Sequence, residues 1–133
     1  MPKTLTILML SGYQENEDPI FAVGLAKAVL KAGYGVNIFL FGNGVNMANK
    51  EKPLEGHLRI TEKLRKHVEL GKVGEQLDEL AQLGADIATC HTSEYGRGTE
   101  ADDYRQGIKW GDVGDSFVRF LVTSDRVITI GHS

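Results

Sequence analysis

The chain has 133 residues, of which 41% are hydrophobic and 25% charged, and a formal net charge of −3. This length and balance fit one globular domain with its own core and argue against long disorder or a basic nucleic-acid-binding face. A single cysteine, Cys90, excludes a disulfide scaffold, a CxxC redox pair and a four-cysteine zinc site, and no apolar run approaches the roughly 18 residues needed to cross a bilayer.

Residues 4–10, TLTILML, form a nearly unbroken apolar run ended by Ser11-Gly12. They predict a strand buried on both faces, as in parallel sheets. The lysine before this run gives it the superficial look of a secretory leader. The run is short, however, and SGYQENEDP makes a poor cleavage region, so a cytoplasmic protein is expected. Asp18 and Pro19 predict a helix start, as N-cap and first helical residue. Phe21, Leu25, Ala28, Val29 and Ala32 recur on one helical face, and Gly33 stands where that helix should end. GVNIFLF, 35–41, predicts the second strand and leads into a loop over 42–56 punctuated by Gly, Asn and Pro.

Helices are expected over 58–70 and 73–83, parted at Gly71. In the second, Val73, Leu77, Leu80 and Ala81 share a face, and Gly84 closes it. ADIATC, 85–90, predicts the third strand and 108–110 a short fourth. A helix over 112–124 follows, with Phe117, Val118, Leu121 and Val122 as its apolar stripe, and RVITIG, 126–131, is the last strand. Strands alternating with helices predict a single α/β domain over 1–133 with a mostly parallel five-stranded sheet.

In such a sheet ligands gather at the C-terminal ends of the strands, which nominates residues 11–16, 42–47, 90–98 and 131–133. Cys90 lies at one of these ends. If a helix starts after it, the unpaired N–H groups of the first turn favour thiolate over thiol. Thr92 and Ser93 could add hydroxyl donors, and His91 and Arg97 could add a charge or a proton. The competing reading is a small buried residue closing a strand. Gly42-Asn43-Gly44 follows a strand as a nucleotide loop would, but Met47 stands where GxGxxG needs its third glycine, so a tight loop is the better reading.

His57, His67, His91 and His132 show no zinc spacing, and neither a metal nor a cofactor is expected. His57 and His67 suit solvated helix positions, and His132 would reach the same sheet edge as Cys90. Ser11 reads as a turn serine, with nothing around it resembling a nucleophile elbow. Arg59, Lys63 and Lys66 share a helix side, which is a solvated face or a docking surface for an acidic partner.

The order of these segments resembles the DsrE/DsrF-like family, most closely its DsrE and TusD sulfur-relay branch. The resemblance covers nearly the whole chain. It is carried by DPIFAVGLAKAVLKAGYGVNIFLFGNGVN, by the strand ending in Cys90 with Arg97-Gly98 downstream, and by SFVRFLVTSDRVITIG. It implies a three-layer, five-stranded α/β sandwich that assembles as homotrimers or homohexamers, or as hetero-oligomers with paralogous subunits. It also implies that Cys90 carries sulfane sulfur as a persulfide, taken from a TusA-like donor and passed to a TusE- or DsrC-like acceptor, in tRNA thiolation or cytoplasmic sulfur oxidation. The chain departs from close TusD-like sequences after Cys90. HTSEYGRG is more polar than their alanine-rich run, and the segment 94–109 is long and charged.

Relay chemistry agrees with a single thiol, because a second one nearby would resolve the persulfide into a disulfide. The resulting expectation is a sulfurtransferase-type carrier with Cys90 as its reactive residue and His91, Thr92, Ser93 and Arg97 lining the site. The alternative is a non-catalytic oligomeric module that binds a small ligand or partner and merely packs Cys90. A cysteine hydrolase ranks behind both, for want of a base positioned by a third group.

Overall fold

The structure, a computed structural model, describes residues 3–12, 17–48, 62, 63, 66, 72–98 and 104–131. Five strands form one sheet: β1 (Thr4–Met9), β2 (Gly35–Leu40), β3 (Asp86–Cys90), β4 (Ile108–Gly111) and β5 (Arg126–Ile130). Their spatial order is β4-β3-β2-β1-β5 and every pairing is parallel. Helix α1 (Asp18–Lys31) joins β1 to β2, and α2 (Val73–Gln82) precedes β3. A short helix, α3 (His91–Tyr95), starts directly after β3, and α4 (Val118–Thr123) continues a wide π-type turn over Val113–Phe117.

The topology sets the layers. From β1 to β4 the chain steps one way across the sheet, then returns past β1 to place β5. Right-handed crossovers therefore put α1 and α2 on one face and residues 113–123 on the other. On the second face Phe39 of β2 meets Phe117 at 5.0 Å and Phe120 edge-on at 6.5 Å between ring centroids. In the interior strands both faces are covered: Ile7, Phe39, Leu40 and Ile87 are each 0% exposed, which is why β1, β2 and β3 read as apolar runs, whereas the edge strands β4 and β5 expose most of their residues.

Helix ends obey local rules. Gly33 takes φ +92° after α1, while its own N–H and that of Tyr34 bond the carbonyls of Leu30 and Val29. Gly84 closes α2 in the same way, at φ +105°. These are the paired bonds of a Schellman cap, in which glycine accepts the left-handed conformation without a Cβ penalty. Asp112 caps the 113–123 segment by accepting from the amides of Asp115, at 2.7 Å, and Ser116.

Several expectations shift. α1 begins at Asp18, with Glu17 in the cap position and no side-chain cap bond, so the predicted start moves by one residue. Its inward face is Pro19, Ala22, Val23 and Ala26; Phe21 is 59% exposed and Ala28 and Ala32 also face water. DPIFAVGLAKAVLK is apolar almost all round, so periodicity alone could not fix its phase. The stripe expected over 112–124 also divides. Phe120 is buried and Phe117 packs on Phe39, whereas Val118, Leu121 and Val122 are exposed. FVRFLV offers two apolar faces, and the two phenyl rings, with more area to bury, take the inward one. The expected helix over 58–70, apart from residues 62, 63 and 66, lies outside the described residues, as do His57, His67, His132 and Arg59. No helix among the described residues is long and apolar enough to cross a membrane.

Candidate functional site: the thiol at the end of β3

Cys90 is the last residue of β3 and the N-cap residue of α3. Its backbone is extended, with φ −81° and ψ 114°, and the helix starts at the next residue. The first-turn amides of His91, Thr92 and Ser93 therefore have no intrahelical acceptor, and the Cys90 side chain makes no cap bond to them. The residue beside Cys90 on β4 is Gly111. A Cβ there would come within 2.4 Å of Ser116 Oγ and 3.0 Å of its Cβ, so glycine lets the 113–117 turn pack closely on this strand. The thiol is 1% exposed.

The residues after Cys90 fan out in different directions. His91 Nδ1 lies 2.7 Å from the carbonyl oxygen of Gly111, a contact that requires the proton on Nδ1. Its ring stacks on Trp110 at 4.3 Å and meets Tyr95 edge-on at 5.7 Å. Trp110 and Tyr95 are exposed, so the three rings form an aromatic rim on the edge strand. Thr92 is exposed. Ser93 is buried, and its Oγ accepts from the Gly42 amide at 3.1 Å. Arg97 donates from Nε to Asn43 Oδ1 at 2.7 Å and from a terminal nitrogen to the Ser93 carbonyl at 3.1 Å.

Ser93 and Arg97 thus clamp α3 to the turn over Gly42–Met47. That turn is a tight 3₁₀ turn. Its Gly42 amide is spent on Ser93 and its Gly44 amide on the Phe41 carbonyl, at 2.9 Å. These two amides face protein acceptors, which supports the tight-loop reading over a phosphate cradle.

Two residues that sequence reasoning passed over lie at the core of this region. Glu94, one helical turn after Cys90, is 1% exposed, and the Tyr104 hydroxyl donates a hydrogen bond to its carboxylate. Burial first, then the Glu94 carboxylate, and then the charges of Tyr95 and Cys90, push the Tyr104 phenol far above its ordinary range. Glu94 and Tyr104 therefore form a hydrogen-bonded pair, with the carboxylate buried. Tyr104 lies beyond a connecting segment, in a stretch that reads as solvated charge.

Other polar groups stand apart. Ser11, which is buried, contacts Asp18 at 3.3 Å, and Lys63 and Lys66 are exposed. A pocket of about 300 Å³ lined by Lys3, Leu5, Val29, Tyr34 and Arg126 sits at the opposite, N-terminal end of the strands. No group of three or more metal-ligating side chains occurs among the described residues.

Comparison with known proteins agrees with this architecture. The family model of the DsrE/DsrF-like family matches residues 3–130. The protein MJ0989 of Methanocaldococcus jannaschii is 28% identical over 124 residues, covering 93% of this chain and 96% of its own. Among solved structures, the ychN protein from E. coli superposes with a TM-score of 0.73 at 20% identity, covering 97% of this chain and 99% of its own. MTH1491 from Methanobacterium thermoautotrophicum does so with a TM-score of 0.70 at 11% identity, covering 96% and 98%. At those identities the two structures speak to the fold.

Proposed function

The chain belongs to the DsrE/DsrF-like family, and from that premise we propose that it is a sulfur-relay protein carrying sulfane sulfur as a persulfide on Cys90. The observation that carries the reading is the placement of the thiol: a lone cysteine at the C-terminal end of an interior strand, in the N-cap position of a helix whose first amides have no intrahelical acceptor. Those amides favour negative charge on sulfur. They suit both the attacking thiolate and the persulfide anion. Ser93 and Arg97 act by fixing α3 against the Gly42–Met47 turn, and His91 acts at the rim, where an incoming carrier would arrive.

In this reading Cys90 Sγ attacks the outer sulfur of a donor persulfide, the donor's S–S bond breaks, and the donor leaves as a thiol. A second carrier thiol then attacks the outer sulfur on Cys90 and takes it away. Sulfur stays at the sulfane level throughout, so neither step needs a cofactor. The donor and acceptor are TusA-like and TusE- or DsrC-like carriers, and the working unit is an oligomer of this chain, alone or with paralogous subunits, in the cytoplasm. The test is transfer of radiolabelled sulfane sulfur from a persulfidated carrier to this protein and onward to a second thiol protein. Label should appear in wild type, leave with reductant, and be absent in Cys90→Ser.

The near-complete burial of the thiol favours a second reading, an oligomeric ligand- or partner-binding module in which Cys90 only packs. The two readings part on access. Relay requires the cover over Cys90 to open on the timescale of transfer, so native Cys90 must react with a small alkylating agent well before the chain unfolds. Packing alone predicts alkylation only in denaturant.

A further inference from the structure

The cavity at the N-terminal end of the strands lies at the other end of the sheet from Cys90, and the relay reading leaves it without a task. Its walls follow from register. Leu5 of β1 pairs with Val36 of β2 and with Arg126 of β5. Register neighbours in a parallel sheet project on one face, here the face away from Phe39, which α1 covers. Leu5 and Arg126 therefore meet Val29 of α1 in the cavity wall, and Tyr34, just past the end of that helix, completes it with Lys3 and Asp125.

The rim is pre-formed. Thr4 donates its amide to Asp125 Oδ2 at 2.9 Å and accepts the Asp125 amide at 2.9 Å. The Lys3 carbonyl accepts from the Gly35 amide at 2.8 Å, and the Val29 carbonyl accepts from that of Tyr34 at 3.2 Å. The cations on this rim are under-used. Arg126 spends one terminal nitrogen on the Asp125 carbonyl, at 3.2 Å. The Lys3 ammonium has no partner among the described residues, and neither cation is in an ion pair there.

We propose that this cavity binds a small monoanionic carboxylic acid with an apolar, ring-sized body. The carboxylate sits on Arg126 and Lys3, and the body lies against Leu5, Val29 and Tyr34. Size, charge and wall set this chemistry. The volume, about 300 Å³, is at the low end for ligand pockets and admits one small molecule. A guanidinium outside any ion pair offers a fork of donors that matches a carboxylate. Lys3 and Arg126 set against Asp125 leave one net positive charge. A monoanion balances it, whereas a phosphate dianion would face the Asp125 carboxylate uncompensated. Leu5, Val29 and the Tyr34 ring reward burial of an apolar body. Binding here is independent of sulfur relay and of Cys90.

The test is an NMR titration of the full isotope-labelled chain with phenylacetate. Acetate, benzyl alcohol and inorganic phosphate serve as probes of charge alone, body alone and a dianion. Phenylacetate should give saturable shifts at the amides of Leu5, Tyr34 and Arg126, and each of the other probes should bind about tenfold more weakly or worse. Arg126→Gln should weaken phenylacetate about tenfold, through loss of a charge-assisted pair, and Lys3→Gln should weaken it less. Lys109→Gln, on the opposite edge strand, should bind as wild type does. The proposal is overturned if phenylacetate moves no amide at the cavity, or if any of the other probes binds as tightly. It is equally overturned if Arg126→Gln keeps wild-type affinity, or if Lys109→Gln loses as much as Arg126→Gln. Should Arg126→Gln unfold, Lys3→Gln and Tyr34→Ala decide: wild-type affinity in both overturns it.

Discussion

Gly44→Ala is the substitution whose cost follows most directly from the tight turn beside the thiol. A Cβ at residue 44 would sit 2.2 Å from the Met9 carbonyl oxygen and 3.1 Å from its carbon, both backbone atoms of a central strand. About 0.8 Å of movement is needed before the contact reaches 3.0 Å, below which real Cβ atoms are not found. Backbone in a sheet interior yields that distance only with strain, which typically costs about 1–3 kcal/mol. The same Met9 oxygen accepts the Phe41 amide at 3.0 Å, and disturbing that bond adds about 1 kcal/mol. The expected loss is about 3 kcal/mol, or roughly 10 °C in Tm for a chain of this length.

Two neighbouring substitutions calibrate it. Gly42→Ala meets no atom closer than 3.8 Å but must hold φ +58°, a cost of about 1 kcal/mol. Gly114→Ala meets nothing within 4 Å, so it should be neutral or raise stability by about 0.5 kcal/mol. Urea unfolding of the three variants with a common slope gives the series. A Gly44→Ala variant no less stable than Gly42→Ala would refute the account of the turn.

Four further outcomes are expected. Phe120→Ala should cost about 3–5 kcal/mol while Val122→Ala, at a position 76% exposed, stays within about 0.5 kcal/mol of wild type; urea midpoints compare them directly. Thr89→Val should raise stability by about 1 kcal/mol, because the buried Thr89 hydroxyl has no hydrogen-bond partner among the described residues and its removal ends an unreturned desolvation cost. Ser93→Ala should cost about 1 kcal/mol by leaving the Gly42 amide without its acceptor, and amide hydrogen exchange at Gly42 should quicken. Tyr104, raised above its unfolded value of 10.0, holds its proton in the folded state after the unfolded chain has lost it. Its contribution is complete below pH 10 and declines as pH climbs above that, so thermal melts should show an alkaline loss of stability that Tyr104→Phe makes shallower.

What the sequence made legible follows from how local each signal is. The interior strands β1, β2 and β3 are largely buried and read as apolar runs, and Gly33 and Gly84 mark helix ends because only the adjoining backbone decides a Schellman cap. Cys90 at a strand end is likewise a local fact. The phases of α1 and α4 were not legible. Both segments are apolar on more than one side, so the choice between Phe21 and Val23, or between Val122 and Phe120, is made by the partner surface. The Glu94–Tyr104 pair joins residues ten positions apart through a connection with no periodicity, and burial of a carboxyl is visible only once the chain has folded over it. Ser93 and Arg97 were picked out as neighbours of the thiol, while their contacts with Gly42 and Asn43 depend on β2 and β3 lying side by side.

Intact mass spectrometry after incubation with a persulfidated carrier tests the central claim most directly, with wild type and Cys90→Ser run in parallel. The account predicts a gain of about 32 Da, one sulfur atom, on wild type, reversed by reductant and absent from the variant. A folded wild-type protein that gains no sulfur from the carrier would contradict it and leave Cys90 as a packed residue of a binding module.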